Sequence, residues 1–265
     1  MLNHLLLLSG NDIPFVEAKV VIHQPTLKEI AYIGEDKFFI GCGLLDFSKK
    51  MLTGLDKDSL SNYDDFEILM SVMTDKSQLA KDVKETIEAA KMILNLVFPL
   101  YTVDVRKDCI ALKQGQQEFF INKKNYSSFK NILIEMFNLH LNKESTEEYN
   151  PSGSLSQKIA EKFKKRHETL LKIKSESSNQ EKKSIKIFSR YVSILAVGEQ
   201  KSMCDLMHYT VYQLLEEFQR FQLKVQWDGY IQARMAGAQD LDEVDNWMID
   251  LQDQGKNKTN KNKIT

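Results

Sequence analysis

The side chains with the widest chemical repertoire are scattered along this chain. His4, His23, His140, His167 and His208 form no HExxH pair and no other spacing that converges two imidazoles, as a metal site with fixed ligand distances requires. Cys42, Cys109 and Cys204 lie far apart, and such an odd, sparse set of thiols suits a reducing compartment without a disulfide framework. No GxSxG elbow, Walker A loop or GxGxxG turn is present to expose a nucleophile or cradle a phosphate. Gly41-Cys42-Gly43 is the nearest imitation, but it falls within an apolar helical pattern, where small residues read as a close helix contact rather than a catalytic thiol. Asp64-Asp65 and Asp240-x-Asp242-Glu243-x-Asp245 cluster carboxylates. The second run lacks the central glycine and distal glutamate of a calcium loop, and reads as the acidic start of a helix. These residues predict no catalytic centre, no metal and no cofactor.

The groups that stand out are suited to binding. Met203, Met207, Phe218, Phe221, Trp227, Tyr230, Trp247 and Met248 crowd large, adaptable side chains into one C-terminal stretch. Met and aromatic residues serve re-packable partner surfaces. Helical spacing alone also places them in the core of a small helical domain, and both readings stay open.

The elements that must position these residues predict an α+β, predominantly helical fold. Leu5 to Leu8 and Phe15 to His23 read as strands around Ser9-Gly10-Asn11-Asp12, with Val16, Ala18, Val20 and Ile22 alternating toward a core. Thr26-Leu27-Lys28-Glu29 has the form of a capping box opening a helix that ends at Gly34. Further helices are expected from Glu35 to about Lys49, Phe66 to Met73, Ser77 to Phe98 and Ser127 to Leu141. Three strands, Tyr101–Val105, Cys109–Leu112 and Glu118–Ile121, come before the last of these, with a turn at Gln114-Gly115-Gln116.

The stretch Lys143 to Ser154 has no aliphatic residue and predicts a domain boundary. The organisation expected is an α+β N-terminal domain over 1–142 and a charged linker over 143–183, with one amphipathic helix marked by Ile159, Phe163, Leu170 and Ile173. An all-helical C-terminal domain over 184–251 and a disordered tail over 252–265 complete it. In the C-terminal unit, helices are expected from Ile185 to Val197, from Thr210 for about 25 residues to near Gly237, and from Leu241 to Leu251. The long one turns Val211, Leu214, Leu215, Phe218, Phe221 and Val225 inward.

Charge excludes some classes of partner. Lys and Arg total 36 against 37 Asp and Glu, which gives no global pull toward nucleic acid. Leu155–Arg190 holds eleven basic and four acidic residues, whereas Asp205–Asp253 holds three and ten. The basic run lacks interleaved aromatics and is broken by Glu161 and Glu168, so it reads as a solvated amphipathic helix ahead of a nucleic-acid arm. The apolar runs at Met1–Leu8 and Met92–Leu100 are too short for a membrane span or a signal core, and no membrane is expected as partner.

Two stretches carry a family resemblance. Asp12-Ile13-Pro14, followed by Ile22-His23-Gln24-Pro25-Thr26-Leu27-Lys28-Glu29-Ile30-Ala31-Tyr32-Ile33-Gly34-Glu35, resembles the amino-terminal pattern of tail assembly chaperones of tailed bacteriophages. Thr210 to Leu251, through Gln222-Leu223-Lys224, Ala236-Gly237-Ala238 and Asn246-Trp247-Met248, resembles their carboxy-terminal helices. The charged insert from Ser145 to Lys183 departs from the pattern, since many such chaperones make their extended form by frameshifting. The resemblance implies a non-enzymatic protein of the host cytoplasm that coats the apolar helical tape-measure protein until the tail tube forms around it. It would use Met-rich surfaces, with self-association possible. A structural tail or baseplate protein of the virion is the alternative. A nucleic-acid-binding accessory protein using residues 155–190 is a third reading.

Overall fold

In the computed structural model, the residues described are 2–48, 63–74, 81–139, 186–239, 241 and 244–249. They form an α+β fold that is mostly helical, with two small antiparallel sheets. The expected linker helix over 143–183 and the tail over 252–265 lie outside the described residues, as do His140, His167, Asp240, Asp242 and Glu243.

The first element corrects an expectation. Leu5–Leu8 belongs to a helix, α1 (His4–Ser9), not a strand. Asn3 caps it by accepting a hydrogen bond from the Leu5 amide at 3.0 Å, and Gly10 closes it at φ 69°. A four-leucine run fits either period, and the caps at both ends decide the matter. The expected strand Phe15–His23 is instead a hairpin of β1 (Ile13–Phe15) and β2 (Val20–Ile22), paired Ile13 to Ile22 and Phe15 to Val20. Residues 16–19 make the turn, with Lys19 at φ 56°, so Val16 is 80% exposed rather than inward. Ile13, Phe15, Val20 and Ile22 share the buried face, while Pro14 and Val21 point away, the period-two alternation of a one-sided sheet.

The capping box forms as the sequence predicts. At the start of α2 (Leu27–Ile33), Thr26 Oγ1 accepts from the Glu29 amide and the Glu29 carboxylate accepts from the Thr26 amide. Gly34, at φ 92°, turns the chain directly into α3 (Glu35–Leu45), which buries Phe38, Gly41, Cys42 and Leu45. Helix α4 (Asp65–Thr74) precedes α5 (Lys81–Val97), whose Ala90, Ile93, Leu94 and Val97 are fully buried. Gly41 sits directly against α5. A Cβ there would come within 2.6 Å of the Ala89 carbonyl oxygen and 2.8 Å of Ile93 Cγ1.

After α5, β3 (Thr102–Val105), β4 (Cys109–Gln114) and β5 (Gln117–Asn122) form a three-stranded antiparallel sheet in chain order. The β4–β5 loop is two residues long and begins with Gly115 at φ 60°, a conformation glycine adopts without strain. Helix α6 (Tyr126–Phe137) then returns to α3. The Tyr126 hydroxyl donates to the Leu45 carbonyl at 2.9 Å, and Lys130 Nζ donates to the carbonyls of Asp46 and Phe47.

The second correction concerns organisation. Residues 1–139 and 186–265 group into one compact unit, although the composition break predicts separate folding units on either side of it. The apolar stripe of α7 (Ile187–Gly198) is buried on the N-terminal half: Phe188 packs 5.6 Å from Phe38 and 5.0 Å from Phe39, ring to ring. Its first amides are satisfied from the same side, since the Glu35 carboxylate accepts from the Phe188 amide at 3.0 Å and the Ser189 amide at 2.8 Å. The short α8 (Met203–Leu206) and the long α9 (Val211–Met235) follow and join the same core through Leu206, Val211, Leu214 and Phe218.

The Gly41 contact leaves no room for a methyl group. Gly41→Ala should therefore destabilise the fold by about 1–3 kcal/mol through forced separation of α3 and α5, measured as a lowered urea midpoint. An unchanged midpoint would mean that the helices do not meet this closely.

Candidate partner-binding surface

Helix α9 carries most of the side chains expected to bind a partner. Thr210 and Gln213 form a second capping box at its start, with Thr210 Oγ1 accepting from the Gln213 amide and Gln213 Oε1 from the Thr210 amide. The first half of the helix is packed. Val211, Leu214, Leu215 and Phe218 are buried, and Phe218 stacks on Tyr191 of α7 at 3.8 Å. Phe221 is half-buried, its ring lying over Gly198 and filling the space a Cβ would occupy.

Beyond Leu223 the helix leaves the core. No described residue from Lys224 to Gln239 is buried; Val225 is 53% and Met235 83% exposed. Val225, expected to face inward, thus continues the core stripe into open space because no element among the described residues buries it. It follows Phe221 by one turn on the same face, and α7 adds exposed Ile194 and Val197 beside Gly198. These two residues were not singled out from the sequence, where Ile185 to Val197 reads as helical and apolar.

The expected aromatic cluster divides. Trp227 lies nine positions after Phe218, about 180° around the helix, so the two rings face opposite ways. Trp227 pairs with Tyr230 at 5.9 Å, and the Tyr230 hydroxyl accepts from Arg234 at 3.0 Å. Met207 packs at the edge of the core, and Met203 on α8 is exposed. Trp247 and Met248 are not helical: they sit in a turn, against the expectation of a helix from Leu241 to Leu251. The reason is local. The Asn246 side chain accepts from the Met248 amide at 3.0 Å, and Arg220 Nη1 donates to the carbonyls of Trp247 at 2.7 Å and Ile249 at 2.6 Å. Those bonds compete with the helical ladder. Arg220 and Trp227 share one side of α9, so Arg220 draws Trp247 and Met248 toward the Trp227 side. Leu223, one turn after Arg220, is 3% exposed yet lies outside the main core cluster.

The adjacent acids of α9, Glu216 and Glu217, are paired within the chain. Glu217 binds Lys201, which also reaches Glu199 and the Tyr209 hydroxyl, each at 3.2 Å. Glu216 lies 3.5 Å from Arg220 and 3.9 Å from His4. A bias toward basic partners therefore gains little from these two carboxylates.

The other chemical candidates have structural partners. Burial, with Asp46 nearby, pushes the Cys42 thiol well above its ordinary range, and burial does the same for Cys109 with Asp108 adding to it. The α3–α6 cleft lined by Cys42, Leu45, Leu133 and Phe137 offers Lys130 and Asp46 as polar groups, and these pair with each other at 3.4 Å. His208 Nδ1 lies 2.8 Å from the Cys204 carbonyl. His23 stands between Asp12 and Glu29. Among the described residues, no group of three or more His, Cys, Asp or Glu is placed to hold a metal ion, and no helix is long and apolar enough to cross a membrane.

Residues 179–252 match the family model described as YomV second domain. That domain is of Bacillus prophage origin, and the match indicates a phage-associated segment. It spans α7, α8, α9 and the Trp247 turn, the elements that carry the exposed apolar side chains. No curated protein and no solved structure matches the chain.

Two charge-assisted hydrogen bonds from one guanidinium hold the Trp247 turn. Removing them by Arg220→Ala should release residues 244–249 at a cost of about 1–3 kcal/mol of local stability, with little change in the global melting temperature. Tryptophan emission should move to the red and exchange at the Met248 and Ile249 amides should speed up. Emission that stayed fixed in a folded variant would show that other contacts hold the turn.

Proposed function

We propose that this chain is a phage tail assembly chaperone that holds the helical tape-measure protein during tail morphogenesis. The observation that carries the reading is the second half of α9, which stands clear of the core with apolar residues exposed in the segment matching a prophage domain. A helix half that buries nothing of its own is weakly supported by helix propensity alone, and an amphipathic helix laid against Phe221 and Val225, beside Ile194 and Val197, would give it a partner. Holding and later releasing a long apolar helix calls for this kind of surface and no bond-making chemistry. The family resemblance of Asp12–Glu35 and Thr210–Leu251 points the same way. Met203, Trp227, Tyr230, Trp247 and Met248 border this surface or the opposite face of α9, whereas Phe218 supports it from within.

A structural tail or baseplate protein would use the same surface permanently. The two readings part at the mature virion, from which a chaperone is absent.

Val225 is exposed, so Val225→Asp should leave circular dichroism and melting nearly unchanged, within about 0.5 kcal/mol. Capture of a tape-measure fragment should weaken by more than about 1 kcal/mol. Trp247→Ala tests the opposite face in the same assay. If both variants bind as tightly as the unaltered protein, the C-terminal helices are not the holding surface.

A further inference from the structure

His23 occupies a position that only its protonated form satisfies. It follows β2, and its ring lies between two carboxylates: Nδ1 is 2.8 Å from Asp12 Oδ1, and Nε2 is 3.2 Å and 3.3 Å from the two oxygens of Glu29. A carboxylate can only accept, so both ring nitrogens must donate, and the imidazolium is the form that does so. Neutral imidazole turns a lone pair toward one carboxylate and exchanges an attraction for a repulsion. The charged groups facing the ring are Asp12 from the approach to β1 and Glu29 from α2. From α5, the Val97 carbonyl accepts the His23 amide at 2.8 Å.

Glu29 is also the closing member of the first capping box. Its Oε2 accepts from the Thr26 amide and the Thr26 hydroxyl, each at 2.7 Å. Thr26 in turn forms a β-bridge with Thr210, the cap of α9. Beside it, the Leu27 amide donates to the Tyr209 carbonyl at 2.8 Å and the Lys28 amide to the Met207 carbonyl at 2.9 Å. A proton on His23 is therefore two hydrogen bonds away from the seam that joins the C-terminal helices to the rest of the fold.

We propose that the Asp12–His23–Glu29 array is a pH-sensitive clasp, closed when His23 carries its second proton and loosened when it does not, which sets how firmly the α8–α9 turn is held against the start of α2. The inference is independent of what α9 binds.

The direction follows from the titrations. Burial lowers the His23 pKa, but the bonds and charges of Asp12 and Glu29 outweigh it and raise the value above 6.5. The clasp's contribution is therefore complete below about pH 6.5 and lost as pH rises through the folded value. Burial raises the Glu29 pKa, but its bonds to Thr26 and its pairing with His23 outweigh that and bring it below 4.5. That contribution is present above about pH 4.5 and lost as pH falls through the lowered value. The clasp is tightest between the two limits.

The test is an NMR titration of the full chain from pH 5.5 to 8.5. It follows the His23 ring protons together with protection factors of the Leu27 and Lys28 amides, corrected for intrinsic exchange. Protection of both amides should fall roughly threefold to tenfold, as expected for a partly exposed charge-assisted bond, with the same midpoint as the ring. His23→Gln keeps the approximate volume and one donor, and should flatten the dependence. Protection that ignores the His23 titration, or a fall whose midpoint survives in His23→Gln, would overturn the proposal. If the variant does not fold, comparing the two midpoints in the unaltered chain decides alone.

Discussion

Two helix starts meet at one point, and the fold is organised around that meeting. Thr26 caps α2, Thr210 caps α9, and the two caps pair across a β-bridge. The start of a helix leaves its first amides without intrahelical partners. Here the Leu27 and Lys28 amides are answered by carbonyls of the chain approaching α9. Gln213 of the second box also ties α9 to α1, donating to the Leu8 carbonyl at 2.7 Å. Gly10, at φ 69°, lies under Gln213 with little room to spare. Neither helix can shift along its axis without breaking several of these hydrogen bonds at once, which leaves donors and acceptors without their partners.

The same reciprocity explains what the sequence revealed. The Thr26–Glu29 box, the three-stranded sheet with its glycine turn, and the close packing at Gly41 rest on local spacing and on side-chain size, and all are readable from nearby residues. The single core was not readable. Its joints are the Glu35 carboxylate on the start of α7, Phe188 against Phe38 and Phe39, and the bridge between the caps. Each links residues from opposite ends of the chain, while the polar stretch between them looks like a boundary. Leu5–Leu8 failed for a different reason: four consecutive leucines have no period, and Asn3 and Gly10 outside the run select the helix.

The candidate surface was half legible. The abundance of Met and aromatic side chains in the C-terminal stretch is plain, and counting nine positions from Phe218 to Trp227 is enough to put them on opposite faces. What spacing does not give is where the helix parts from the core. That depends on α7 ending at Gly198, against which the Phe221 ring packs, while Val225 one turn further on is exposed. Nor does it show that Arg220 takes the Trp247 and Ile249 carbonyls and keeps that stretch from helix. The stretch matching a prophage domain thus also includes a turn whose carbonyls are held by the Arg220 guanidinium.

Because α6 and α7 belong to the same compact unit, the Glu35 bonds to the start of α7 close a loop across a long separation in sequence. Closing such a loop becomes only slowly harder as it grows, by about 0.6 kcal/mol for each doubling of its length. The joint between Glu35 and the start of α7 is therefore little affected by how many residues separate its two halves.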